Sequence, residues 1–242
     1  MTDIARRLVS VALAPVIFAL IGGGACYASA GASLGLFLGA LIVVTLLVPP
    51  LTVAEGSTAN RLIVLAAVVG PTCLFWLPAI IHGDVRFGEW FASSLVMIAY
   101  AAALVGLSAA LRLATRSAIV SAALSVIVGL VWLTWPIWAS RMWNGGASEA
   151  AVARGVVCHP ALAINGQVSR GLGNWTEQPI AYHLTELSQI VNFILPRTVW
   201  PCVLLHGLIG ASLLILAQWV ESRRVASNEE SGSTGAGVEP NA

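Results

Sequence analysis

Every acidic and basic residue of this chain stands at or beyond the end of a long apolar run, and that placement leaves few folds open. Between Arg7 and Glu55 no charged side chain occurs at all. Comparable runs cover residues 8–28, 33–53, 62–81, 91–111, 117–139 and 198–220. Each has about the 20 residues that a helix needs to cross the ~30 Å hydrocarbon layer. Lipid offers no water to unpaired backbone groups, so only helices and closed barrels span it. Runs of this length predict an all-α polytopic membrane protein with six transmembrane helices.

Composition supports that class. Only 10% of residues are charged and 58% are hydrophobic, whereas a soluble domain carries about 25% charged residues and needs them for its surface. The net charge of +1 supplies no basic field, so nucleic-acid binding is set aside. All twelve basic residues are arginine. The four cysteines, Cys26, Cys73, Cys158 and Cys202, form no C-x-x-C pair, which leaves neither a zinc knuckle nor a thioredoxin-like motif, and one long-range outer disulfide stays open.

The predicted organisation is a five-helix membrane region over 1–139, an extracytoplasmic loop or cap over 140–197, a sixth span within 198–224 and a disordered cytoplasmic tail over 225–242. The first run is read as a span. The A-x-A pattern at Ala28 and Ala30 also fits a cleaved signal peptide. EGSTANR, with Glu55, Asn60 and Arg61, reads as a short aqueous turn, and Pro71 and Pro78 predict a kinked third span. The fourth span is rich in Ala, Gly and Ser and reads as an interior helix, because small residues let helices approach closely in lipid. Residues 227–242 are Gly/Ser/Glu-rich and have little to bury.

Sorting the arginines sets an expected orientation. With the N-terminus inside, Arg6, Arg7, Arg61, Arg112, Arg116, Arg223 and Arg224 fall on the cytoplasmic side, and among turns and tails only Arg86 opposes them. Both termini are therefore expected to be cytoplasmic, as in a bacterial inner-membrane protein, with the long loop outside. Trp76, Trp90, Trp138, Trp143 and Trp200 then lie near outer span ends, where an aromatic belt belongs.

The outer loop is the main polar break. Trp132, Trp135 and Trp138 recur every three residues down the end of the fifth span, and Trp143 extends them. They suit an interfacial anchor, or else an aromatic platform for a flat or cationic ligand. A short helix is expected over 148–154. In CHPALAINGQVSRGLGNW, Pro160, Asn165-Gly166 and the later glycines mark turns rather than a helix. An amphipathic helix is expected over 179–195, with His183, Glu186 and Gln189 on its polar face, lying at the lipid surface or dipping in as a re-entrant element.

Chemistry-bearing residues are few. His206 is the one ionisable group expected inside a span, and such a group is a pointer to function by default. His82, His159, His183 and His206 all map to the outer half without a metal-ligand spacing, so a haem or metal site assembled from them is kept only as an alternative. No cofactor and no catalytic residue is assigned. The candidate ligand or partner surface comprises Trp135, Trp138, Trp143, His159, His183, Glu186, Gln189 and His206.

Three resemblances follow from these residues. Gly106-Leu107-Ser108, with His206 and Gly210, is similar to the serine and histidine helices of rhomboid intramembrane proteases. Here, however, Ala109 replaces the second glycine of the serine motif, and the expected depths separate Ser108 from His206 by roughly 15 Å along the membrane normal. A nucleophile and its base must come within about 3 Å, so a protease is excluded. The tryptophan run is similar in composition to the outer segment of haem-handling proteins of cytochrome c maturation, without their Trp-Trp-Asp core. The layout as a whole resembles ABC-2-type transporter permeases over residues 1 to about 224, with termini inside, six spans, short turns and outer short or re-entrant helices between the fifth and sixth. That resemblance implies a non-catalytic membrane subunit of a transport or export complex, with a separate ATPase docking at EGSTANR and Arg112 to Arg116, and a further membrane subunit as a possible neighbour. An assembly or scaffold protein whose cap binds a periplasmic partner is the alternative from another class.

Overall fold

A computed structural model describes residues 33–74, 80, 85–143, 149–168 and 196–234. Seven helices are described: α1 Ser33–Val53, α2 Thr58–Leu74, α3 Phe87–Thr115, α4 Ala118–Trp143, α5 Glu149–Cys158, α6 Pro160–Val168 and α7 Trp200–Thr234. No strand occurs among the described residues. Helices α3, α4 and α7 are long and apolar enough to cross a membrane, and α1 and α2 contribute shorter apolar stretches at Gly39–Val53 and Thr58–Leu74. The chain is thus a helical membrane protein. The expected first span, the amphipathic helix over 179–195 and part of the third span, Pro78 included, lie outside the described residues.

The fourth expected span, α3, is the interior helix. It packs against α1, α2, α4, α6 and α7, and its buried face is built from Ser93, Val96, Met97, Tyr100, Ala101, Leu104, Val105 and Ser108. Small residues make this possible. A Cβ on Gly210 of α7 would stand 2.7 Å from the carbonyl carbon and oxygen of Ala102, and one on Gly106 would stand 2.7 Å from the carbonyl oxygen of Gly210. The two backbones therefore touch directly, which only glycine permits. The outward faces of α4 and α7 expose Ile119, Ile127, Leu208 and Ile215, residues that water would penalise and acyl chains accept. Several hydroxyls in the helices bond within their own helix: Thr45 donates to the Leu41 carbonyl, Thr72 to Val68, Ser108 to Val105 and Ser125 to Ser121. A polar group in lipid is thereby satisfied at home.

Four departures from the sequence reading bear on the site, beyond the few extra residues at the ends of α3 and α4. The helix expected over 148–154 runs to Cys158. The segment read as turns around Asn165-Gly166 is helical in α6, which lies against α1 and α3 and is buried over most of its length. Asn-Gly favours a turn locally, but tertiary burial overrides that preference. At Gly166 a Cβ would stand 2.4 Å from the Pro196 carbonyl oxygen, so the glycine serves a close chain crossing. Third, α7 continues to Thr234 rather than ending near Val220, so the part of the tail up to that residue is helical and not disordered. Its charged turns propagate a helix already nucleated in the span. Fourth, Arg61 is not in an aqueous turn: it sits in the first turns of α2 with 1% of its surface exposed.

Candidate functional site

Polar groups gather at two places, one near each end of α7. Near its N-terminal end, His206 lies one turn beyond Cys202 and is 4% exposed. Its Nε2 accepts the indole N–H of Trp132 from α4 at 3.1 Å, and its Nδ1 donates to the Cys202 carbonyl at 2.8 Å. Those two partners fix the tautomer: the proton sits on Nδ1 and the imidazole is neutral.

His159 joins the same cluster from the cap. It stands between α5 and α6, 1% exposed, with Nε2 at 3.1 Å from the Trp132 carbonyl and 3.2 Å from that of Leu133. Both partners are acceptors, so Nε2 carries the proton, while Nδ1 accepts the Leu162 N–H at 3.2 Å. Burial pushes this imidazole down to about 4. The Trp132 ring lies between the two histidines, with centroids 6.1 Å from His159 and 6.0 Å from His206. Trp135 closes the cluster edge-on to His159 at 5.6 Å.

Tyr100 extends it into the bundle. Its ring meets His206 edge-on at 5.6 Å, and its hydroxyl reaches the Gly129 carbonyl at 3.2 Å and Thr45 Oγ1 at 3.0 Å. Thr45 spends its own proton on Leu41, so the Tyr100 proton is shared between α1 and α4. A Cβ on Gly129 would stand 2.7 Å from Thr45 Cγ2 and 3.1 Å from the Tyr100 hydroxyl, so the glycine makes room for the node. Helices α1, α3, α4 and α7 and the cap are thus joined through one string of aromatic and imidazole side chains.

The second place is the opposite end of α7. Arg61 Nη2 pairs with Glu221 at 3.0 Å, and its Nε donates to the Glu55 carbonyl at 3.1 Å. Arg112 of α3 donates through Nη1 to the Val53 carbonyl, one of the last carbonyls of α1, which lack intrahelical partners. The turn between α1 and α2 is thereby clamped to both α3 and α7. Arg116 ends α3 in the left-handed region at φ 57°, its N–H capping the Arg112 carbonyl at 2.9 Å.

The sequence-derived candidates divide accordingly. Trp135, His159 and His206 come together. Trp138 does not: it is 45% exposed, because a step of three residues falls about 60° short of a full turn, so two steps from Trp132 carry it off the inner face. Trp200 is exposed, whereas Trp90 is half-buried and donates to the Cys73 carbonyl at 2.9 Å. Trp143 ends α4, and its side chain lies outside the described ones, as do His183, Glu186 and Gln189. Sequence reasoning left Trp132 with the anchors and did not assign Tyr100, since their partners lie on other helices. Ser108 donates within its own helix and stands eight residues beyond the Tyr100 level of His206, about 12 Å along the axis. The depth argument against a serine–histidine pair is consistent with this geometry.

As for metal ligation, both nitrogens of each described histidine are engaged, so a metal would have to displace an existing bond. No group of three or more metal-ligating side chains occurs among the described residues. No protein-family model, curated protein or solved structure matches this chain.

Proposed function

We propose that the chain is the membrane subunit of a transport or export complex of ABC-2 type, with six spans and both termini on the cytoplasmic side of a bacterial inner membrane, working with a separate ATPase. The observation that carries this reading is the clamp on the α1–α2 turn. Arg61 and Arg112 fix that turn to the last described span and to the interior helix, so force applied there reaches the bundle without being lost in a loose loop. The same helix, α7, carries Glu221 at one end and His206 at the other. They are 15 residues apart (221 − 206), about 22 Å along a helix. A displacement of α7 started at the inner turn is passed to the outer cap through His206, Trp132 and His159. The cap, α5 and α6, stands between α4 and α7 in chain order, the position that the layout resemblance requires.

In this reading the protein binds no nucleotide and catalyses nothing. Its exposed apolar faces on α4 and α7 meet lipid and a further membrane subunit, and substrate passes along the bundle. Affinity purification from native membranes in mild detergent tests it: a Walker-motif ATPase is expected to co-elute and to hydrolyse ATP. Elution without any ATPase, together with a captured extracytoplasmic protein, would replace this reading with that of an assembly factor.

A further inference from the structure

The part of α7 that is long and apolar enough to cross a membrane ends at Arg224, so Trp219 and Arg223 stand where hydrocarbon gives way to headgroups. Their side chains are stacked: the guanidinium carbon of Arg223 lies over the Trp219 ring, 4.0 Å from its centroid. Both are exposed, as is the adjoining Arg224. The stack uses one face of the guanidinium and fixes its plane, while its N–H groups point outward in that plane. The single ion pair among the described residues, Arg61 with Glu221, does not engage them. Glu221 is about 200° around the helix from Arg223, with its carboxylate turned to Arg61. The next acids, Glu229 and Glu230, follow more than a turn beyond Arg224.

On the hydrocarbon side the same face of α7 continues through Ile215 and Leu208, both exposed. At 100° per residue, positions 208, 215, 219 and 223 fall within about 80° of one another. Leu208 and Trp219 are 11 residues apart (219 − 208), about 16 Å, which matches one leaflet of the ~30 Å hydrocarbon layer.

We propose that this face binds one anionic glycerophospholipid, with its phosphate on the in-plane N–H groups of Arg223 and an acyl chain along Ile215 and Leu208. The inference needs α7 to span a bilayer, and it does not depend on the transport reading or on which side the C-terminal end of α7 faces. Phosphate suits the site because a guanidinium presents two parallel donors to two phosphate oxygens. The stack holds those donors in place before a lipid arrives, so binding costs less side-chain freedom than at an unstacked arginine. Charge decides the lipid class. A zwitterionic headgroup brings its own ammonium beside Arg223 and Arg224, whereas an anionic headgroup adds no cation to repel. Arg224, about 100° around the helix, adds attraction without sharing the stack.

Native mass spectrometry of the full chain, purified in mild detergent and titrated with phosphatidylglycerol, tests the site. One adduct per chain is expected to saturate before others add, with phosphatidylcholine binding several-fold more weakly. Arg223→Gln should weaken that first adduct about fivefold, the loss expected for one interfacial arginine. Trp219→Leu keeps both charges and an apolar surface, and should weaken it as well because the guanidinium loses its support. Arg224→Gln should weaken it less than either, and Arg154→Gln, at an exposed position of α5, should leave it unchanged. All four side chains are exposed, so the variants should unfold like the native chain when no lipid is added. Equal losses in Arg223→Gln and Arg224→Gln, with none in Trp219→Leu, would overturn the proposal in favour of diffuse charge attraction. Equal binding of phosphatidylcholine would also overturn it. So would displacement of the lipid by inorganic phosphate at the same concentration, since a free anion would then fill the site without an acyl chain.

Discussion

Trp132 donates its indole N–H to His206 Nε2 at 3.1 Å while its own carbonyl accepts from His159, so one residue of α4 holds both the last described span and the cap. Trp132→Phe keeps most of the ring and removes the donor. A buried Nε2 is then left unpaired, which costs about 1–3 kcal/mol in water-soluble proteins and about 0.6 kcal/mol on average for bonds within a membrane. Unfolding in SDS/detergent mixtures should show a loss within that range. A double cycle with His206→Phe should recover the coupling.

His159 makes stability depend on pH. Its imidazole is neutral in the fold down to about 4 but titrates near 6.5 when unfolded, so between these values the unfolded chain binds more protons. The contribution is fully present above pH 6.5 and is lost as the pH falls toward 4. Over the whole window it is on the order of 3 kcal/mol. Unfolding followed from pH 7.5 to 4.5 should show this decline in the native chain and a flatter profile in His159→Gln.

The crossing of α3 and α7 sets a steric test. Gly210→Ala places a methyl group 2.7 Å from the Ala102 backbone and forces the helices apart, at a cost of about 1–3 kcal/mol. Gly207→Ala, on the same helix, meets nothing within 4 Å and should unfold like the native chain. Equal stability of the two variants would mean that the helices do not cross at Gly106 and Gly210.

At the Arg61 clamp, Glu221→Ala strands the buried Arg61 cation. Breaking a fully buried pair costs about 3–5 kcal/mol, and less is expected here because Glu221 is 33% exposed. The double variant Arg61→Met/Glu221→Ala removes the stranded charge and should be more stable than the single one. The same unfolding assay ranks them.

The helical class and the interior position of α3 were legible in the sequence because both follow from local composition: apolar runs of spanning length, and small residues concentrated in one of them. Ser33–Val53 agrees to the residue for the same reason. What was not legible depended on distant partners. Nothing near Trp132 announces a histidine 74 positions later, and Asn165-Gly166 spells a turn that burial in α6 overrides. Arg61 looked aqueous because the sequence gives no sign of Glu221 across the bundle. Of the spaced tryptophans, only part of the series meets the histidines, for a geometric reason: a three-residue spacing drifts around a helix, so Trp135 faces the histidines and Trp138 does not.

Photo-cross-linking from the α1–α2 turn tests the proposed function most directly. Asn60 is exposed beside the Arg61 clamp, and a photoreactive side chain placed there leaves the clamp intact. In native membranes a cross-link to a Walker-motif ATPase is the expected result, weakened several-fold when Glu221→Ala loosens the turn. Cross-links to lipid alone, or to an extracytoplasmic protein, would contradict a membrane subunit driven from that turn.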